Sequence, residues 1–136
     1  MLFKVDFITY KGTIKSFETD KINVPTSEGR RTILSNHMPI MMSLQMGVIE
    51  TSKNGVSEHH VINSGILYFK DNYAKIVCNN ILDVKDIDID RALKAKETSK
   101  KLLEKMTNDI ERSREQFKIK LHDNLINAYY KYNETR

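Results

Sequence analysis

The sequence of 136 residues has a single cysteine, Cys78, so it cannot form an internal disulfide. It also lacks any apolar run near the about 20 residues that a membrane-spanning helix requires. The first ten residues alternate apolar and charged side chains, whereas a signal peptide contains a continuous apolar block. These absences argue against a disulfide-stapled or membrane-spanning protein and predict a reducing, cytoplasmic location.

Catalytic and metal-binding motifs are missing as well. The histidines at 37, 59, 60 and 122 show no metal-ligand spacing with each other or with Cys78, and no serine stands in a G-x-S-x-G motif. His59 and His60 would point to opposite faces of a strand, so they cannot chelate one ion together. The sequence therefore predicts no active site, no metal site and no required cofactor, and it predicts that Cys78 is a small core residue.

Charge is distributed unevenly along the chain. Residues 1–90 carry 10 basic and 11 acidic side chains, whereas residues 91–136 carry 12 basic and 7 acidic ones. A positive field speeds encounter with nucleic acid, anionic lipid or an acidic protein surface, but it does not distinguish among them. The alternative is an ordinary solvated helix face.

The first part of the chain, residues 1–86, shows short β-branched and aromatic segments separated by turn residues, which is typical of an antiparallel sandwich or barrel. Asn54-Gly55 predicts a tight hairpin and Asp71-Asn72 a second turn. Exposed loops are predicted at 25–29 and 35–39. The predicted strands are Leu2–Thr9, Ile14–Val24, Arg31–Leu34, Val48–Thr51, Ser57–Ile62, Leu67–Lys70 and Lys75–Cys78.

Helical periodicity replaces the strand pattern in residues 87–136, which we interpret as a hairpin of two antiparallel helices. Asn108 and Glu111 resemble a capping box at the start of the second helix. The apolar stripes must be buried against each other, against the β unit or against another protein. The first stripe is Ile89, Ala92, Leu93, Leu102, Leu103 and Met106, interrupted by Lys96 and Ser99; the second is Ile110, Phe117, Leu121, Leu125, Ala128 and Tyr129.

Three motifs stand in order along the chain. The first is Ser27-Glu28-Gly29 with His37-Met38-Pro39. The second is Ser64-Gly65-Ile66-Leu67 with the turn at Asp71-Asn72, and the third is Ile87-Asp88-Ile89-Asp90-Arg91-Ala92. Together they resemble the epsilon subunit of bacterial F-type ATP synthases, whose I/L-D-x-x-R-A pattern the third motif matches.

This resemblance implies an α+β fold in which a two-sheet sandwich precedes a regulatory two-helix hairpin. It implies a non-catalytic subunit that couples gamma to the rotor ring and inhibits ATP hydrolysis when the hairpin extends towards an acidic loop of the catalytic beta subunit. It also implies a position at the inner face of the cell membrane, with membrane contact only through the complex. The candidate gamma and ring contacts are Glu28, Arg30, His37, Pro39 and Met41, and the candidate beta contacts are Lys100, Lys101, Arg114 and Lys118.

Some family members bind regulatory ATP at the positions that correspond to Ile87, Asp88, Arg91 and Ala92. The alternative for this segment is helix capping, which we favour because a phosphate needs several donors and the second helix offers no arginines at the corresponding stretch, 120–125. The methionines at 41, 42 and 46 mark either an adaptable contact surface or core filling.

Two further hypotheses remain open. The loop carries Arg30-Arg31-Thr32 and Ser35-Asn36 where the family usually has other residues, which allows an epsilon-like subunit of a divergent rotary ATPase that is not attached to a proton ring. The basic hairpin could instead belong to a nucleic-acid-binding module. We do not expect a nucleic-acid partner, because the tyrosines at 129, 130 and 132 cluster at one end and do not interleave with the basic residues.

Overall fold

The computed structural model describes residues 1–133 and divides into two compact units, the first of residues 1–83 and the second beginning at Val84. A 3-10 turn (Val84–Asp86) precedes the helices and a π-helical turn (Tyr129–Asn133) follows them. The helices are α1 (Ile89–Lys105) and α2 (Asp109–Ala128). The strands are β1 (Phe3–Thr9), β2 (Gly12–Thr19), β3 (Lys21–Thr26), β4 (Gly29–Leu34), β5 (Ile40–Leu44), β6 (Gly47–Lys53), β7 (Val56–Ile62), β8 (Gly65–Lys70), β9 (Tyr73–Cys78) and β10 (Ile81–Asp83).

The first unit consists of two five-stranded sheets. The first sheet has the order β2-β1-β9-β8-β5, and the second has the order β10-β7-β6-β3-β4. Neighbours pair antiparallel, apart from β1 and β9, which pair in parallel. The predicted α+β fold, a sandwich followed by a helical hairpin, is therefore confirmed.

Alternate side chains of the strands fill the space between the two sheets. The rings of Phe3 and Phe69 meet edge-on with centroids 5.3 Å apart, and those of Phe7 and Phe17 meet at 5.0 Å. Cys78 is buried in this core, as predicted, and burial raises the pKa of its thiol to about 11. The thiol is therefore protonated at neutral pH and serves as a small apolar group.

Three turns have the backbone conformation that their residues predict. Asn54 and Gly55 both have positive φ (52° and 82°), as do Asp71 and Asn72 (52° and 57°). Asparagine and glycine accept this left-handed region better than other residues, so each pair closes a tight hairpin. At the β3–β4 hairpin the positive φ, 104°, belongs to Gly29, which follows the turn and begins β4.

The prediction of one strand over 14–24 is wrong, because the chain changes sheets at Asp20. Residues before Asp20 belong to β2 of the first sheet, and residues after it belong to β3 of the second. The Asp20 carboxylate accepts hydrogen bonds from Ser52 Oγ and from the Asn54 backbone N–H. A continuous β pattern cannot show such a crossover, since both halves alternate with the same period.

Three other local predictions also need correction. Strand β5 was missed because its methionines were interpreted as a surface or core-filling segment, and β10 was missed because it is only three residues long. The predicted exposed loop at 25–29 is a tight hairpin, since Pro25 is buried in β3 and Gly29 begins β4. Proline is tolerated there because this strand position needs no backbone donor.

Both helices begin at the predicted caps. The Asp88 carboxylate accepts a hydrogen bond from the backbone N–H of Arg91 at 3.1 Å, and Asn108 Oδ1 accepts from the N–H groups of Ile110 and Glu111. Each cap satisfies donors that the first helical turn leaves free. The capping alternative for the segment at 87–92 is thus present in the structure.

His60 is a buried titratable group in the sandwich. It faces Phe7, with ring centroids 4.8 Å apart, and its Nε2 lies 3.7 Å from Asp83 Oδ2 on β10. Burial lowers the pKa of His60 below its ordinary value, and the attraction of Asp83 offsets only part of this effect. Lys15 and His59 lower the pKa further, and Glu58 raises it.

We expect the free energy of unfolding to fall as the pH drops below about 6.5, because the unfolded chain then binds a proton that the buried imidazole refuses. Between the unfolded and folded pKa values the limiting slope is about 1.4 kcal/mol per pH unit. Denaturant unfolding at pH 7.5 and 5.5 measures this loss. A His60→Met variant should lose that part of the pH dependence while a His122→Gln variant keeps it; equal pH dependence in all three chains would contradict the prediction.

Candidate functional site

The outer face of the first sheet carries an exposed apolar group that we call the sheet patch: Met41, Ile66, Tyr68 and Val77. These side chains are 39–67% exposed. The residues directly before and after them on β8 and β9 point to the opposite face, and most of these are buried in the core. Ile66 lies opposite Val77 across β8 and β9, and Met41 lies opposite Tyr68 across β5 and β8. A contiguous exposed apolar group on a sheet typically marks a protein contact.

Beside the sheet patch, the same face carries a polar cluster centred on Asp6. Ser16 Oγ donates to Asp6 Oδ1 at 2.6 Å, and the Tyr73 hydroxyl donates to Asp6 Oδ2. These hydrogen bonds lower the pKa of Asp6, Ser16 having the larger effect, and the bond to Asp6 raises the pKa of Tyr73. Lys4 Nζ and Lys75 Nζ lie 5.0 Å and 5.2 Å from the centroid of the Tyr73 ring.

The predicted contacts Glu28 and Arg30 lie on β4 and its hairpin, at the edge of the second sheet. Arg30 Nη2 donates to the Val48 carbonyl at 2.6 Å and to the Asn23 carbonyl at 3.2 Å, and its Nε donates to Asn23 Oδ1. Glu28 is exposed and lies 3.7 Å from Arg31. The Arg30 guanidinium therefore ties three strands together within the second sheet.

The other predicted contacts follow β4. Asn36 exchanges two hydrogen bonds with Asn72, which ties the loop of His37 and Pro39 to the β8–β9 turn of the first sheet. His37 is half-buried and its Nδ1 donates to the carbonyl of Met38 at 2.7 Å. This loop leads into β5, which carries Met41. His37 and Met41 therefore lie beside the first sheet, whereas the hydrogen bonds of Arg30 lie in the second sheet.

The seam between the two helices is polar. Lys96 Nζ of α1 lies 2.5 Å from Asp123 of α2, and Arg112 donates to the carbonyl groups at the end of α1. Between these contacts lie Ser99 and Glu115, both buried. Glu115 Oε1 accepts a hydrogen bond from Lys118 Nζ at 3.2 Å, but its buried Oε2 has no hydrogen-bond partner among the described residues. A buried carboxylate oxygen of this kind weakens the seam.

Several apolar side chains of the hairpin are exposed and do not lie between the two helices. Ile110, Phe117 and Leu121 line a shallow groove on α2 with Arg114 and Lys118, which we call the hairpin groove. Ile110 is 66% exposed and Phe117 is 52% exposed. Leu93 and Leu102 of α1 are also exposed, whereas Ala92, Ile126 and Ala128 are buried. The two predicted stripes therefore do not fully bury each other.

The predicted basic contacts Lys100, Lys101, Arg114 and Lys118 are all exposed. Lys118 also pairs with Glu115, one turn earlier on α2. In the segment at 87–92, where the resemblance implies a possible ATP contact, Ile87 and Ala92 are buried and Arg91 is exposed. No group of three potential metal ligands comes together within residues 1–133, and none of the helices found there is long and apolar enough to span a membrane.

A family model described as "ATP synthase, Delta/Epsilon chain, beta-sandwich domain" matches residues 2–84. The chain belongs to this family. Among curated relatives of this ATP synthase family, the epsilon chain of Lactobacillus delbrueckii subsp. bulgaricus is 32% identical over 100 residues, which cover 71% of this chain and 68% of the relative. The epsilon chain of Nitratidesulfovibrio vulgaris is 27% identical over 112 residues, 82% of this chain and 84% of the relative.

Solved ATP synthase structures show the same fold. A chain in the mitochondrial ATP synthase of Euglena gracilis, solved with OSCP, F1 and the c-ring, aligns with a TM-score of 0.78 at 20% identity and covers 91% of this chain and 79% of that one. A chain in the central stalk and c-ring structure of Tetrahymena thermophila aligns with a TM-score of 0.65 at 15% identity, covering 93% and 95%. Together with the epsilon-chain relatives, the family match confirms the prediction of a non-catalytic ATP synthase epsilon chain.

Sequence reasoning missed Ile66, Tyr68 and Val77 as candidate contact residues of this epsilon-family chain. A signal was present, since β8 and β9 carry apolar residues on both faces although the sheet has one face in the core. An apolar residue at an outward position of an antiparallel strand predicts a covered surface. The motif residues drew attention instead to the loop at 27–39.

Proposed function

We propose that this chain is a central-stalk subunit of a rotary ATPase whose sandwich binds gamma and couples it to the rotor ring. Its hairpin inhibits ATP hydrolysis by extending to the catalytic beta subunit. The observation that carries the proposal is that each unit exposes an apolar surface of its own, the sheet patch on one and the hairpin groove on the other. The proposed location is the inner face of the cell membrane, with membrane contact only through the complex.

For the sandwich, the sheet patch supports the gamma contact. Met41 and Tyr68 are large side chains of the type found in protein interfaces. Met41 lies on the edge strand β5, and Tyr68 lies on the neighbouring strand β8. The His37 loop lies beside them, held by the Asn36–Asn72 hydrogen bonds. A rigid sheet that presents such side chains loses little conformational entropy when it binds.

For the hairpin, the polar seam and the exposed groove together support a switch. Closing the helices buries Ser99 and Glu115 and leaves Phe117 half-exposed, so the closed state gains less than an apolar seam would give. A partner that covers the groove shifts the population towards the open state by its difference in affinity for the two states. Two cations, Arg114 and Lys118, line the groove against one carboxylate, Asp109, and this balance favours an acidic partner surface.

Affinity purification of the tagged chain from its native cells, followed by mass spectrometry at moderate salt, tests the assembly. Recovery of alpha, beta and gamma with ring subunits is the expected result. Recovery of catalytic-head subunits without a ring would identify a divergent rotary machine. Recovery of neither would refute the proposal and direct attention to nucleic acid bound by the basic hairpin, whose affinity falls steeply with salt.

Replacing Lys100, Lys101, Arg114 and Lys118 together by alanine should weaken inhibition of ATP hydrolysis, most strongly at low ionic strength. Exposed charges are screened beyond about 10 Å at 0.1 M salt, so the loss should shrink as salt is added. Hydrolysis by the reconstituted complex at low and high salt measures the effect. A comparison variant with three exposed lysines of the sandwich replaced, Lys11, Lys21 and Lys53, should retain inhibition, and a loss independent of salt would show that packing, not charge, dominates.

A further inference from the structure

Strand β10 is the shortest strand of the sandwich, and it lies at the edge of the second sheet. Its three residues pair with β7, and within residues 1–133 no other strand lies beside it. It is also the last strand before the 3-10 turn that begins the second unit. A short edge strand opens at a lower free energy than the strands inside a sheet. Opening of β10 therefore does not require the rest of the sandwich to unfold.

Strand β10 covers the edge of β7 at the position of His60. In the register, Asp83 lies directly opposite His60, and Ile81 lies opposite Ile62. Side chains that are directly opposite in an antiparallel pair share a face of the sheet. His60 and Ile62 are both buried, and Ile81 packs against the apolar cluster between the sheets. Release of β10 would expose this edge of β7, and with it His60, to water.

The imidazole of His60 has little hydrogen bonding while β10 is in place. Its buried Nδ1 has no hydrogen-bond partner among the described residues. Its Nε2 lies 3.7 Å from Asp83 Oδ2, which is too long for a good hydrogen bond, and its ring packs on Phe7. A charged imidazole has two N–H donors, so protonation in this position leaves a buried donor without an acceptor. Water supplies that acceptor once the strand opens.

Charged groups on three strands also act on His60. Burial has the largest effect and lowers the pKa of the imidazole, and the attraction of Asp83 on β10 offsets only part of it. Lys15 lowers this pKa further, Glu58 raises it and His59 lowers it. Lys15 on β2 and Glu58 on β7 form an ion pair at 3.0 Å, so their two effects partly cancel. The covered imidazole is therefore neutral at pH 7, and acid favours the state in which it is exposed.

We propose that His60 and β10 form an acid-sensitive latch, in which uptake of a proton by the His60 imidazole releases residues 81–83 from β7. Loss of the proton allows the strand to pair again. The release adds three residues, about 10 Å of extended chain, to the segment that precedes the hairpin. The latch belongs to the chain itself and does not depend on the proposed function, so the two can fail separately.

Amide hydrogen exchange of the full chain at pH 7.5 and 5.5, corrected for the intrinsic effect of pH on exchange, tests the latch. An exposed histidine has a pKa of about 6.5, so acidification over this range favours the open state by up to about tenfold. The protection of the amides in residues 81–83 should fall by about that factor. Strand β4, at the other edge of the same sheet, should keep its protection, because its opening leaves His60 covered.

Two variants distinguish His60 from the histidine next to it. A His60→Met chain should lose the pH effect on residues 81–83, because the buried side chain no longer binds a proton. A His59→Gln chain should keep the effect, since His59 points to the opposite face of β7, where it lies 3.5 Å from Glu50. If His60→Met does not fold, NMR titration of the unaltered chain provides a second readout. The His60 ring should then titrate below about pH 6.5.

Unchanged or increased protection of residues 81–83 at pH 5.5 would overturn the latch, because the ion pair with Asp83 would then hold the charged imidazole in place. Protection of these amides equal to that of the inner strand β1 at both pH values would also overturn it, since β10 would then open only with the whole sandwich. A tenfold loss in β4 as well would indicate general acid destabilisation instead. Titration of His60 at or above its ordinary pKa would contradict the latch in the same way.

Discussion

Replacing Phe117 by aspartate is expected to release ATP hydrolysis in the reconstituted complex, because it removes the central side chain of the hairpin groove. Fully covering a phenylalanine contributes about 1.5–3 kcal/mol, and about half of Phe117 is left for a partner to cover, so its loss shifts the hairpin away from the bound state by about 4- to 12-fold. Phe117 is 52% exposed in the closed hairpin, so the substitution should also cost the chain about half of that burial energy, about 0.8–1.5 kcal/mol. Steady-state ATP hydrolysis, measured with a saturating amount of the variant chain, reports the effect.

The neighbouring residue Gln116 provides the control for Phe117. It is exposed on the same helix, and Gln116→Asp introduces the same negative charge without removing an apolar contact. This variant should inhibit hydrolysis as the unaltered chain does and should unfold within about 0.5 kcal/mol of it. Equal inhibition by the Phe117 variant and the unaltered chain would show that the groove has no role in the brake.

Deleting residues 86–136 should leave a folded sandwich that binds gamma and no longer inhibits hydrolysis. The apolar cluster between the two sheets, from Phe3 to Cys78, lies wholly within the remaining residues. The sheet patch and the His37 loop are also retained. The expected result is cooperative unfolding of the shortened chain, with affinity for the stalk complex within about twofold of the full chain, a difference of under 0.5 kcal/mol.

The deletion also separates the two parts of the proposed function. Unchanged binding with full release of hydrolysis assigns anchoring to the sandwich and inhibition to the hairpin. Loss of binding or of cooperative unfolding would mean that the sandwich depends on the second unit. A chain with Phe117→Asp alone should bind as well as the deleted chain, which distinguishes loss of the groove from loss of the whole hairpin.

Local features of the fold were predictable from short stretches of sequence. The turns at Asn54-Gly55 and Asp71-Asn72 depend on residues that accept positive φ, and the helix starts at Asp88 and Asn108 depend on side chains that cap free N–H groups. The burial of Cys78 follows from its place in an apolar run. Each of these features depends on residues that are only a few positions apart in the sequence.

Long-range pairing was not predictable in the same way. The change of sheet at Asp20 and the parallel pairing of β1 with β9 depend on hydrogen bonds to residues more than thirty positions away. Strand alternation shows which side chains share a face, but it does not show which strand is the neighbour. Arg30 illustrates the consequence, since its guanidinium donates hydrogen bonds to the carbonyl groups of Asn23 and Val48 on two other strands, while its predicted partner contact stays a prediction.

The sequence by itself determined the family, the order of sandwich and hairpin, and the positions of turns and helix caps, because these depend on motifs and on neighbouring residues. Only the tertiary structure decided which apolar residues stay exposed and which polar ones are buried. Glu115 lies in the helix seam while Phe117 faces outwards, and Ile66 and Val77 meet on the outer face of a sheet. Such placements depend on the packing of distant segments, since a side chain is buried only where another element covers it.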